Sequence, residues 1–153
     1  MNALDLLTSD HDKVKQLFQQ AQQIQDNQQK KEVFDKIDME LAIHADIEET
    51  IFYPALEEHE VFKEMMREAR QEHEHVEQLL LEIEDLATED TDFSTQLAEL
   101  EDTVEHHVAE EEGEMFPKVR EIFDERTLEG LGKKLASAKG KQINVGKDNL
   151  QMA

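Results

Sequence analysis

The chain has 153 residues, with 38 Asp and Glu against 16 Lys and Arg, a formal charge of −22 and no cysteine. Such a charge repels phosphate backbones and anionic lipid surfaces, so neither a nucleic-acid nor a membrane partner is expected. Without thiols there are no disulfides, thiolate metal sites or iron–sulfur clusters, and any metal must take nitrogen and oxygen ligands.

The start, Met1 to Lys13, has no basic region followed by an apolar run, and no stretch approaches the roughly 18 apolar residues of a membrane span, so a cytoplasmic location is expected. Charged residues make up 35%, a level at which disorder competes with folding. Periodicity argues for order: apolar residues recur at helical spacing, and between Met1 and Glu112 there is no glycine and one proline, Pro54.

The first predicted helix covers Asn2 to Gln25, with Leu4, Leu7, His11, Val14 and Phe18 along one stripe. Asp26 to Gln29 reads as a short connection. A second helix from Lys30 carries Ile37, Leu41, His44 and Glu48 on its inward stripe, and Pro54 is expected to end or kink it. After a turn near Glu57 to Glu60, a third helix over Val61 to Ala87 presents Ala69, His73, Val76, Leu80 and Ile83. Thr88 to Asp92 supplies a loop and helix cap. The fourth helix then shows Leu100, Val104, His107, Glu111 and Met115, with Gly113 and Pro117 loosening its last turns. A shorter fifth helix is expected from Asp124 or Thr127 to Gly140, and residues 141–153 read as a frayed tail. Residues 131–153 hold five lysines and one aspartate, a net +4 that suits either a solvated end or a segment lying against the acidic body.

Two stretches repeat. His44 to Pro54 is HADIEETIFYP and His107 to Pro117 is HVAEEEGEMFP. In each, a glutamate follows the histidine by four residues, one helical turn, so His44 and Glu48, and likewise His107 and Glu111, share a face. The lone His11 and His73 sit on the stripes of the other two helices. His11 to His73 is 62 positions and His44 to His107 is 63, the mark of two similar hairpins. Short connections make successive helices antiparallel, so the reading is an all-α, up-down-up-down four-helix bundle with a short C-terminal fifth helix. Measured from turns near residues 28, 59 and 90, all four histidines fall at one level.

A single histidine on an apolar face is more often a hydrogen-bonded core residue than a ligand. Four at one level, with two inward carboxylates and no inward lysine or arginine, call for a cation, because an unpaired buried carboxylate costs several kcal/mol. The metal candidates are His11, His44, Glu48, His73, His107 and Glu111. Carboxylates so placed can bridge two metals about 3.5–4 Å apart. Glu49 and Glu112 turn about 100° from their neighbours, which suits a solvated or supporting role. Glu77, one turn after His73, stays open as a further ligand. His59, His75 and His106 read as surface residues. Phe52, Met115 and Phe116 read as packing, and Tyr53 as a core residue able to donate a hydrogen bond toward the site.

His11, His44-x-x-x-Glu48, His73 and His107-x-x-x-Glu111 together resemble the hemerythrin-like HHE cation-binding family over about residues 2–139. The resemblance implies a hemerythrin-like domain over residues 1–140 that holds a non-haem di-iron centre, two Fe ions with an oxo or hydroxo bridge, on the six residues named. It also implies a protein that binds or senses O2, NO or peroxide, or handles iron. A di-iron enzyme of peroxidase, oxidase or iron-centre repair type is the alternative, and a bundle with a purely structural metal the third reading. Imidazole and carboxylate ligands alone would also suit manganese or zinc. Oxygen-carrying members have a second histidine where this chain has Glu77, and an aspartate where it has Glu112, which argues against reversible oxygen carriage.

Overall fold

The computed structural model describes residues 1–86 and 91–152, and among them every regular element is helical. Helix α1 spans Ala3–Gln23 and α2 spans Asn27–Ile47. A π-helical turn over Glu48–Phe52 leads into the short α3, Tyr53–Glu57. After a 3₁₀ turn over Glu60–Phe62 come α4, Lys63–Glu84, and α5, Thr91–Glu110. A second π turn, Glu111–Met115, joins α5 to α6, Phe116–Ile122, and α7, Glu125–Met152, closes the chain. With their continuations, α1, α2, α4 and α5 form the four-helix bundle.

Local chemistry sets the ends. Asn2 caps α1 by accepting from the Asp5 amide at 2.8 Å, and Asp26 caps α2 through the Gln29 amide at 3.3 Å. The Asp26 cap starts α2 three residues earlier than the apolar stripe suggests, because a cap depends on a side-chain acceptor rather than on apolar spacing. The loop expected at Thr88 to Asp92 lies largely outside the described residues.

Each proline follows an irregular turn, as the expected loosening near Pro117 suggests. Neither Pro54 nor Pro117 ends its rod; each sits in the first turn of the helix that follows a π turn. The Tyr53 and Phe116 amides reach back five residues, to the carbonyls of Glu48 and Glu111. One extra residue in the turn removes the register in which proline would clash with the carbonyl four residues earlier, so the helix continues instead of breaking.

The fifth helix also runs on, to Met152, where a frayed tail was expected after Gly140. It lies along α1 and α2. Leu128, Leu131 and Leu135 join the apolar cluster built on Leu4, Leu7 and Phe52. Gly132 permits the close approach: a Cβ there would lie 2.5 Å from the Met1 carbonyl oxygen and 2.8 Å from the Asn2 carbonyl carbon. Backbone atoms cannot yield as a side-chain tip can. Gly132→Ala is therefore expected to cost about 1–3 kcal/mol, the range for overpacking, despite alanine's better helix propensity. A denaturant midpoint equal to or above the native one would show that the N-terminus is not pinned there.

The core is split in two. One cluster, built around Leu7, Phe52, Leu56 and Phe116, fills the end where α7 docks; the other, around Phe18, Phe34, Ile83 and Phe93, fills the opposite end. Between them lies a layer of buried polar side chains: His11, His44, Glu48, His73, His107 and Glu111.

Candidate metal centre

Each of the six predicted residues reaches this layer. Glu48 and Glu111 are 0% and 1% exposed, and they open the two π turns. The π turn thus falls at the buried glutamate of each repeat, where an irregular turn can set the aim of a carboxylate.

The potential ligand atoms form two groups, His11–His44–Glu48–Glu111 and His73–His107–Glu48–Glu111, and within each group they lie no more than 4.8 Å apart. Both glutamates belong to both groups. In one half the His11 and His44 ring centroids are 4.9 Å apart; in the other, His73 and His107 are also 4.9 Å apart. Glu48 Oε1 lies 3.1 Å from His44 Nε2 and 3.2 Å from His73 Nε2. The Glu111 oxygens lie 3.5 Å from His11 Nε2 and 2.8 Å from His107 Nε2. Each carboxylate therefore spans the two halves, as a bridging ligand would.

The donor set has the signature of a cation site. His11 Nε2, His44 Nε2, His107 Nε2, Glu48 Oε2 and Glu111 Oε1 are buried without a hydrogen-bond partner. Buried polar atoms are rarely left so, and five converging on one spot fit a metal that would satisfy them together. Nitrogen and carboxylate oxygen without sulfur suit a first-row divalent or trivalent ion. Tyr53 closes the site from α3. Its hydroxyl lies 3.2 Å from His73 Nε2 and donates to Glu111 Oε2 at 3.2 Å and Glu48 Oε1 at 3.4 Å. Burial, reinforced by the two glutamates, holds its pKa well above the usual phenol value, so it remains a donor. Tyr53→Phe is expected to cost the metal-free protein about 1–3 kcal/mol, since buried acceptors lose their donor. Melting in excess chelator measures this, and an unchanged midpoint would show that the hydroxyl contributes nothing.

Three of the four histidines have a carboxylate hydrogen-bonded at the outward nitrogen. His11 Nδ1 meets Glu112 at 2.7 Å, His44 Nδ1 meets Asp10 at 2.9 Å, and His107 Nδ1 meets Glu72 at 3.1 Å. His73 Nδ1 has Glu49 only at 3.7 Å. Such partners fix which nitrogen faces the metal and strengthen its donation. Of the solvated or supporting role expected for Glu49 and Glu112, the structure shows the supporting one, each standing behind a lone histidine. The roles of Asp10 and Glu72 escaped the sequence reading. Their signal was in the repeat: an acid directly precedes each lone histidine, and each serves the motif histidine of another helix.

Burial disfavours the charged form of His44, but Glu48 and Asp10 outweigh it and push the pKa up to about 10. His107 is held well above its usual value in the same way, by Glu111 and Glu72. Glu48, although buried, is held well below the usual carboxylate range by His44. Without metal, protons on His44 and His107 offset the buried negative charge of Glu48.

Glu77 is exposed and belongs to neither ligand group. His75 and His106 are exposed as expected, whereas His59 is half-buried with its ring edge-on to Phe62 and Phe123. A looser group at the surface, Glu72, His106 and Glu110, also brings potential ligand atoms together. On the far side of the histidines from Tyr53, a cavity of about 40 Å³ is walled by Val14, Leu41, Val76, Val104 and Val108 and floored by His11, His44, His73 and His107. It has room for a molecule of a few atoms.

A four-helix bundle with a buried layer of four histidines and two shared glutamates defines the class: a histidine–carboxylate metal-binding bundle. Residues 2–119 match the family model of the hemerythrin HHE cation binding domain, and the chain belongs to that family. A crystal structure of a hemerythrin HHE cation binding domain-containing protein from Mycobacterium kansasii superposes with a TM-score of 0.88 at 25% identity, over 99% of this chain and 93% of that one. Among curated proteins, one named DNA nickase from Nostoc sp. is 30% identical over 141 residues, 92% of this chain. An uncharacterized hemerythrin-like protein from Schizosaccharomyces pombe is 28% identical over 123 residues, 79% of this chain. The matched regions span 40% and 61% of those two relatives' lengths. No helix among the described residues is long and apolar enough to cross a membrane.

Proposed function

We propose that the chain holds two iron ions between His11–His44 and His73–His107, with Glu48 and Glu111 bridging, and that it binds or senses a small diatomic molecule or peroxide. The observation that carries this reading is the sharing of both glutamates by two otherwise separate histidine pairs. When bound, the metal pair would supply an open coordination position and redox capacity. The chain's own residues do the rest. The histidines and glutamates fix the ions, Tyr53 supplies a hydroxyl proton beside the carboxylates, and the valine and leucine walls admit a few-atom ligand while excluding bulk water.

The ligand set favours peroxide or redox chemistry over reversible oxygen carriage. Each half has two histidines and shares two anionic carboxylates, whose negative charge stabilises the more oxidised metal. Exposed Glu77 adds no further ligand. A peroxide-consuming enzyme is therefore the second reading, and turnover of peroxide no faster than that of free iron would remove it. The name of the Nostoc relative does not carry over readily: that protein is more than twice as long as the matched stretch, and a charge of −22 opposes DNA binding.

The test is metal analysis of protein purified after iron-replete growth, with visible spectra recorded with and without oxygen. Two irons per chain and a spectrum that changes on oxidation are expected. Less than one iron per chain would end this reading.

A further inference from the structure

The four outer carboxylates are not alike. Glu112, Glu49 and Glu72 are 37%, 36% and 26% exposed at the side chain, so solvent screens their charge. Asp10 is 4% exposed. It is also the one whose second oxygen is held by a cation: Oδ2 accepts from His44 Nδ1 at 2.9 Å, and Oδ1 is ion-paired with Lys139. Lys139 lies on α7, outside residues 2–119 matched to the family model. One turn further on, Gln142 donates to Asp46 of α2, which holds that part of α7 against the bundle.

We propose that Lys139 is a positioning residue for the metal centre: acting through Asp10, it limits how strongly His44 donates and so makes the His11–His44 half bind metal less tightly than its other ligands would allow. This rests on the two-metal reading above. A carboxylate on the outer nitrogen of a ligating histidine strengthens its donation. A lysine on the other oxygen draws that negative charge away, and although Lys139 is 21% exposed, the buried Asp10 carboxylate at 4% is poorly screened by solvent. Among the described residues the His73–His107 half has no buried ion pair of this kind: Arg70 acts on Glu49 and His106 on Glu72, but both carboxylates are solvent-screened. The two halves, matched in ligands, are unequal in what stands behind them. Through Lys139, the packing of α7 reaches the metal.

Cobalt(II) alone is the probe, titrated into metal-free full-length protein and followed by its visible absorption, so that no activity need be assumed. In Lys139→Met, which keeps the length of the apolar stem, one of the two binding steps is expected to tighten about tenfold, within the range of outer-partner effects. The other step should stay native, and Lys139→Arg should restore the native value. In an Asp10→Asn background Lys139→Met should have no further effect, as a double-mutant cycle requires of a residue acting through another. No change in either step, a weakening, or a shift that persists undiminished with Asp10→Asn overturns the proposal. So does a shift from Leu135→Ala that persists in the Lys139→Met background, where loosening α7 can no longer act through the lysine. Uptake of fewer than two cobalt ions by the native chain is a failure of the two-metal reading itself, visible before any variant is compared.

Discussion

Glu48→Gln is expected to empty both halves of the centre at once, lowering bound metal from two ions per chain to less than one. Glu48 Oε1 lies 3.1 Å from His44 Nε2 and 3.2 Å from His73 Nε2, so one side chain serves both histidine pairs. An amide keeps the shape but carries no charge, and its nitrogen presents hydrogens where a metal needs a lone pair. The loss should exceed the roughly 10–100-fold cost of removing an outer partner. Glu49→Gln is the comparison. Glu49 is 36% exposed and 3.7 Å from His73 Nδ1, so it should retain two ions with at most that outer-partner weakening. Equal effects in equilibrium dialysis would mean that the inward faces of α2 and its π turn are misassigned.

Removing the metal is expected to lower the melting temperature by at least about 10 °C, and by more at pH 9 than at pH 6. A ligand at 1,000 times its Kd stabilises by about 4 kcal/mol per site, and in a domain of this size each kcal/mol is worth roughly 2–4 °C. The pH dependence follows from His44. Its folded pKa of about 10 lies above the ordinary 6.5, so in the metal-free protein its stabilisation is fully present below about pH 6.5 and is lost as pH rises toward 10. Glu48 works in the other sense. Held below the usual range, it stabilises above its ordinary value of 4.5, and that contribution is lost as pH falls through its folded pKa. The metal-free protein should thus be most stable between about pH 4.5 and 6.5. With metal bound, each histidine coordinates through a nitrogen that carries no proton and is no longer held as an imidazolium, so the alkaline decline should vanish. Chelator melts at a series of pH values check this, and parallel curves with and without metal would contradict it.

The bundle and the inward placement of the six candidate residues were legible because periodicity and a repeat are carried by residue identity. A histidine and a glutamate one turn apart on an apolar stripe point inward whatever else the chain does. What escaped depends on geometry between helices. Asp10 and Glu72 look like ordinary surface acids until α1 meets α2 and α4 meets α5, and only then do they reach His44 and His107. The π turns were hidden for another reason. Pro54 and Pro117 advertise a break, and whether a helix breaks or shifts register depends on the packing around Phe52 and Phe116, both fully buried. Glu77 shows the converse: a spacing of one turn from His73 made it a candidate, but its side chain lies outside the buried layer. The length of α7 was underestimated because Lys141 to Asp148 has little apolar periodicity. The ion pair of Lys139 with Asp10 joins residues 129 positions apart.

The most direct test of the centre is anomalous diffraction from crystals of the metal-loaded protein, recorded at the absorption edge of the metal it carries. Two peaks about 3.5–4 Å apart are expected, one beside His11 and His44 and the other beside His73 and His107, with Glu48 and Glu111 reaching both. A single peak in the buried layer, or density only at the surface group of Glu72, His106 and Glu110, would contradict a shared two-metal centre.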